Sequence, residues 1–98
     1  MTLRLRLGAE AQRDVADAKA WYLDQAPGLD LRFQEELERT FRQVETFPAG
    51  YVIVHRDIRR ANLHRFPYAV LYRRRRDHLF VLAVFHHARD PRVWKSRR

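Results

Sequence analysis

Cysteine is absent from this 98-residue chain, which excludes disulfide staples and every thiolate metal site. Glycine is scarce. Gly8, Gly28 and Gly50 are the only three, each at a break in the hydrophobic pattern, so no glycine-rich loop can cradle a phosphate. The single serine, Ser96, lies in a basic tail and makes a poor nucleophile. No segment reaches the ~20 apolar residues of a membrane span. The amino-terminal alternation of Leu and Arg also lacks the apolar core of a secretory signal. A cytoplasmic protein with no membrane partner is the expectation.

What the chain does have is a hydrophobic fraction of 46%, 12% aromatics and a net charge of +8, unevenly placed. That apolar content argues against disorder. At this length one small domain spanning residues 1–98 is expected, burying roughly 60–65% of its unfolded surface. Residues 10–45 hold nine acids against five bases, whereas residues 51–98 hold three acids against thirteen bases. A basic half creates a field that draws polyanions or acidic protein segments. Arginine outnumbers lysine eighteen to two, and its planar fork suits phosphate and carboxylate. The plainer reading is a solvated arginine face.

Periodicity predicts an α+β fold. Leu3, Leu5 and Leu7 alternate with Arg4 and Arg6 in a strand over residues 1–7. From Ala9 to Ala26 the period becomes helical, with Ala11, Val15, Ala18, Tyr22 and Ala26 in one stripe and Trp21 beside it. Pro27-Gly28 stops this helix. A second helix, with Asp30 as N-cap, runs to about Phe47, burying Leu37, Phe41 and Val44, with Phe33 and Phe47 near its ends. Glu35–Arg39 and Glu38–Arg42 fall at ion-pair spacing. The short break between the helices favours an antiparallel hairpin.

Strands follow at Tyr51–His55, Arg59–Phe66, Tyr68–Arg73 and Leu79–Phe85. Arg56-Asp57 is a turn, Pro67 a bend, and Arg75-Arg76-Asp77-His78 a polar turn. Along Arg59–Phe66, Ala61 and Leu63 face one way, and Arg60, Asn62 and His64 the other. Leu79–Phe85 is apolar at every position, the pattern of a strand covered on both faces. A strand interior to the sheet needs a neighbour on each side, and only Leu3–Leu7 is left to supply one. The expectation is a helical hairpin packed on a mainly antiparallel four- to five-stranded sheet, with the amino-terminal strand beside the carboxy-terminal one.

Three kinds of chemistry can be weighed from the residues. Five histidines invite a metal, but His86 and His87 point to opposite faces of a strand and no carboxylate is spaced to complete a site, so neither metal nor cofactor is expected. RNA cleavage needs a base, a cation at the phosphate and an acid for the leaving oxygen. His64, His86 or His87 could be base or acid, with Arg65 and Arg89 as phosphate clamps. The alternative is that these histidines are exposed or bonded at the core edge. Finally, Phe66, Tyr68, Tyr72 and Trp94 could stack on bases. Tyr68, Val70 and Tyr72 share strand parity, however, so one face of this set reads as core. Trp94 is either a latch on the sheet or an exposed anchor.

These segments carry a family resemblance. Arg65-Phe66-Pro67-Tyr68, then Leu71-Tyr72-Arg73, then Val84-Phe85-His86 leading to Arg89-Asp90-Pro91 and Trp94, resembles the RelE/ParE superfamily of toxins from type II toxin–antitoxin systems. Upstream, Ala16 to Tyr22, Pro27-Gly28-Leu29, and Phe33 followed by Glu35-Glu36-Leu37 are similar to that family's helical hairpin. The Phe-Pro-Tyr and Arg-Asp-Pro segments lie nearer the ParE-like branch.

The resemblance implies two helices on a mainly antiparallel sheet and a role of plasmid-stabilisation type. It implies a cognate antitoxin whose acidic or amphipathic segment wraps the toxin in a hetero-oligomer. ParE-like members inhibit DNA gyrase without enzymatic chemistry, whereas RelE-like members cut ribosome-bound mRNA. For the latter, His64 or Arg65 and Arg89 answer to the family's basic positions. Trp94 stands about where a terminal acid–base residue would be, and an indole does not titrate usefully. Surface residues expected to meet target or antitoxin are Arg59, Arg60, Arg65, Arg73, Arg89 and Trp94. A non-toxic basic nucleic-acid-binding module is the remaining alternative.

Overall fold

The changes of hydrophobic period along the chain become changes of element in a computed structural model, which describes residues 3–98. Strand β1 (Leu5–Leu7) leads into helix α1 (Ala9–Gln25) and helix α2 (Leu29–Thr46). A single 3-10 turn at Pro48–Gly50 precedes β2 (Val52–His55), β3 (Ile58–Asn62), β4 (Tyr68–Arg74), β5 (Leu79–His86) and the short helix α3 (Arg92–Lys95). Met1 and Thr2, included in the expected first strand, lie outside the described residues.

The five strands run in the order β1-β5-β4-β3-β2. β2 to β5 are antiparallel neighbours, and β1 pairs with β5 in parallel through Leu5↔Leu79, Arg6↔Phe80 and Leu7↔Val81. The unbroken apolar run is therefore interior, flanked by β4 on one side and β1 on the other. The expected placement of the two terminal strands is borne out.

One irregularity decides which side chain faces where. Leu71 pairs with Ala83 but Tyr72 pairs with Val81, so Leu82 is an extra residue in β5. Such a bulge breaks the alternation of faces. Leu79, Val81 and Val84 consequently join the core under α1 and α2, with Ala61, Leu63, Val70 and Tyr72. Leu82, Ala83 and Phe85 join a smaller core on the opposite face, with Ile58, Leu71 and Trp94.

The helices bury Ala11, Ala18, Tyr22, Phe33, Leu37 and Val44 against the sheet. Several local expectations are corrected. α2 begins at Leu29, and its N-cap is Gly28 in the left-handed region (φ 87°), placing Asp30 in the first turn and not at the cap. Reversing the chain within so few residues requires that positive φ, which glycine adopts without a Cβ clash. Phe47 is 67% exposed because α2 ends just before it and the 3-10 turn carries it away from the sheet. Along α2 the pairs are Glu36 with Arg39 at 4.0 Å and Gln34 with Glu38 at 2.9 Å, in place of the expected Glu35–Arg39 and Glu38–Arg42. The strand expected to reach Phe66 stops at Asn62, since Arg65 turns to φ 69° and Pro67 follows. No helix among the described residues is long and apolar enough to cross a membrane.

Candidate functional site

The turn after β5 is assembled by its own polar groups. His86 Nδ1 accepts the amide N–H of Ala88 at 2.9 Å, and the Arg89 amide donates to the His86 carbonyl at 3.1 Å. Next, Asp90 accepts the Arg92 amide at 3.0 Å and Arg92 Nε at 2.9 Å. Those bonds from Arg92 hold the Asp90 carboxyl below its ordinary range. Asp90 thus starts α3 while Pro91 presets the backbone angle for helix entry. Three residues later Trp94 drops onto the open face of the sheet, where it is 7% exposed among Ile58, Leu71, Leu82 and Phe85. The Arg-Asp-Pro segment is thereby a device for seating Trp94.

Around this turn the side chains meet in two adjoining recesses. His86, His87, Arg89 and Trp94 line a groove of about 190 Å³ with Arg60, floored by Leu71 and Phe85. The Arg89 guanidinium lies 4.4 Å from the centre of the Phe85 ring, held by cation–π attraction. On the other side of His86, a recess of about 350 Å³ is formed by Trp21, Tyr68, His86 and Arg89. There the Tyr68 and His86 rings meet edge to face at 5.1 Å. Burial pushes the Tyr68 hydroxyl above its ordinary pKa, against the opposing pull of Arg89.

His86 reads clearly in chemical terms. With Nδ1 accepting a backbone N–H, the neutral ring carries its proton on Nε2. In that tautomer the lone pair a general base would use is already engaged. His87 is exposed, and only its backbone is bonded, to the Pro67 carbonyl at 2.9 Å.

The other candidates sit elsewhere. His64 and Arg65 are exposed in the β3–β4 loop, outside both recesses. Phe66, between them and the sheet, packs edge to face on Tyr22 and Phe33 and pins that loop. Arg59 donates to the carbonyls of Ala49 at 3.3 Å and Tyr51 at 2.6 Å, bracing the chain before β2. Arg73 pairs with Asp57 at 2.9 Å across the β2–β3 turn. Arg60 alone of the middle-strand arginines reaches the groove. Among the described residues, no group of three His, Asp or Glu side chains could hold a metal ion.

One pair escaped the sequence reading. Beyond β1 the outer edge of β5 would be open, and Asp14 of α1 covers it by accepting the Val84 amide at 3.0 Å. Arg97 completes the cover, donating to Asp14 at 2.6 Å and 3.2 Å and to the Leu82 carbonyl at 3.1 Å. A signal existed: Asp14 lies three residues after Ala11 and four before Ala18, a charge inside an apolar stripe. Trp21, 56% exposed, was also left out, because its partners Tyr68 and His86 come from distant strands.

The family model described as the ParE toxin of the type II toxin-antitoxin system parDE matches residues 5–91. The chain belongs to the ParE toxin family. A solved structure described as the chromosomal ParDE TA system from P. aeruginosa shares its fold, with a TM-score of 0.77 at 16% identity over 87% of this chain and 96% of that one. A search of curated proteins found no match. As a ParE-family member the chain is a type II toxin, and the hairpin-on-sheet architecture is that of the family. The matched region ends at Pro91, so Trp94 and Arg97 stand outside it.

Proposed function

We propose that this ParE-family chain inhibits growth by binding DNA gyrase, without cutting RNA, and that a cognate antitoxin holds it inactive. The observation that carries this reading is the burial of Trp94 as a plug between α3 and the sheet, where a nuclease would need a titrating side chain at the surface. The engaged Nδ1 of His86 supports it further. An amphipathic antitoxin segment is favoured by the exposed Trp21, Leu23 and Leu31 on the hairpin, together with the basic carboxy-terminal half. Complementary charge would steer such a segment and burial of apolar surface would hold it.

A ribosome-dependent endoribonuclease of RelE type is the second reading, favoured by the convergence of Arg60, His86, His87 and Arg89 on one groove. Inducing the chain without its antitoxin separates the two. Gyrase inhibition predicts lost supercoiling and DNA breaks with transcripts intact. Transcripts cut at codon boundaries with supercoiling preserved would reject it, and unimpaired growth would reject both.

A further inference from the structure

The three acidic residues of the carboxy-terminal half are each committed to a neighbour: Asp57 to Arg73, Asp77 to His78 and Asp90 to Arg92. Glu10 and Asp14 reach over from α1, and both meet Arg97. Arg56, Arg75, Lys95 and Arg98 are among the bases of this half that have no carboxylate within ion-pair distance among the described residues. These four line a single trough of about 580 Å³ with Arg73 and Arg97, on the face of the sheet away from the hairpin. Their heads come from the β2–β3 turn, the end of β4 and the tail after Trp94, so the fold gathers cations from three separate segments. Paired Arg73 and Arg97 form a fixed wall, while the other four keep uncompensated charge, Arg75 resting over the Phe80 ring at 5.1 Å and Lys95 over Trp94 at 5.8 Å.

Arg56 carries a second indication. It adopts φ 54° in a tight hairpin turn, a left-handed conformation that suits Gly or Asn and penalises most other side chains. Keeping an arginine where glycine would fold more easily points to a use for its side chain. The chain's exposed large apolar side chains lie elsewhere: Trp21, Leu23, Leu31, Phe47, Val52 and Ile53 belong to the hairpin, the connector and β2, with Val93 the exception in α3. A peptide partner needs apolar surface to hold it, and the trough is lined mainly by polar and charged groups, with Ile58 its one aliphatic side chain. A row of guanidinium groups in a mainly polar lining suits phosphodiesters, whose contacts are ionic and release counterions.

We propose that this trough binds a nucleic-acid phosphate backbone, as a surface separate from both the groove at Trp94 and the apolar side of the hairpin. The binding requires no gyrase, so it stands or falls independently of the proposed target.

Fluorescence anisotropy of the full chain against labelled duplex DNA, single-stranded RNA and polyglutamate tests it. Four phosphate contacts predict that affinity for the bound nucleic acid falls roughly a hundredfold between about 50 and about 200 mM salt. The variant R56G/R75Q/K95Q/R98Q should bind roughly tenfold or more weakly than the charge-matched R4Q/R13Q/R32Q/R42Q, with equal melting temperatures. R56G alone should melt no lower than the native chain and yet bind more weakly, which keeps the test decisive if the fourfold variant misfolds. Preference between DNA and RNA identifies the source of the phosphodiester. Equal weakening by the two fourfold variants would reduce the binding to net charge and overturn the proposal. Failure to bind either nucleic acid, or tighter binding to polyglutamate, would overturn it as well.

Discussion

The Asp14 carboxylate and the Arg97 guanidinium, 83 positions apart in sequence, form a two-bond pair at 2.6 Å and 3.2 Å that borders β5 where β1 has ended. Both side chains are more than nine-tenths buried. Between them they bond the Val84 amide and the Leu82 carbonyl, the donor and acceptor that a longer β1 would have engaged. Two side chains replace a missing piece of strand, and they tie the last residues of the chain to its first helix.

Removing one partner leaves the other charged and buried, so Asp14→Ala or Arg97→Ala should each cost about 3–5 kcal/mol in urea unfolding. Combining Asp14→Leu with Arg97→Met should cost less than either single change, because no orphaned charge remains. A loss in the double variant equal to the sum of the two single losses would mean that the residues act separately.

Alkaline pH should loosen the connector before β2. The Tyr72 hydroxyl donates to the Pro48 carbonyl at 2.6 Å, and burial pushes its pKa up to about 12. The folded state thus holds this proton more tightly than the unfolded chain does. Its contribution is full below pH ~10 and is lost as pH rises towards about 12, a change of ~2–3 kcal/mol. Tyr72→Phe should cost about 1 kcal/mol at neutral pH and flatten the alkaline loss, as followed by unfolding and tyrosinate absorbance.

Trp94 and Arg89 should separate stability from action. Trp94→Ala empties the smaller core and should cost ~3–5 kcal/mol. Arg89, exposed and resting on Phe85, should cost under about 1 kcal/mol when changed to Ala, yet weaken growth inhibition. Thermal melts beside growth curves read both; a collapse of the fold in Arg89→Ala would make that arginine structural.

Gly28→Ala isolates a backbone effect. An added Cβ meets nothing within 4 Å, so space is free and only the φ of 87° resists. The expected loss is ~1–2 kcal/mol, measured by denaturant midpoint. An unchanged midpoint would show that the α1–α2 turn can relax.

Much of the fold was legible because it was written in periods. The uninterrupted Leu79–Phe85 run could only be an interior strand, and that alone placed β1 beside β5. The shared parity of Tyr68, Val70 and Tyr72 likewise marked a core face, which Val70 and Tyr72 occupy with Tyr68 at its edge. The bulge at Leu82 was not legible, since an extra residue inside a uniformly apolar run changes no pattern. Gly28 hid its capping role behind the more familiar Asp30. For the site, the sequence marked Arg60, His86, His87 and Arg89 but grouped them with His64 and Arg65, which the bend at Arg65 carries away. Asp14 carried a signal as a charge inside an apolar stripe, but Arg97, one base in a basic tail, reads as solvated surface, so the pair could not be drawn from sequence.

The order β1-β5-β4-β3-β2 has a consequence for how the chain is made. The strand synthesised last among the five sits between its neighbours, and β1, synthesised first, has no partner until then. While β5 is still inside the ribosomal tunnel, the sheet lacks the strand that joins β1 to β4 and the hairpin has only part of a floor. Closure of the sheet must wait until β5 has emerged. A chain interrupted before β5 therefore leaves β1 without a partner and β4 as an uncovered edge, the open rim on which sheets misassociate.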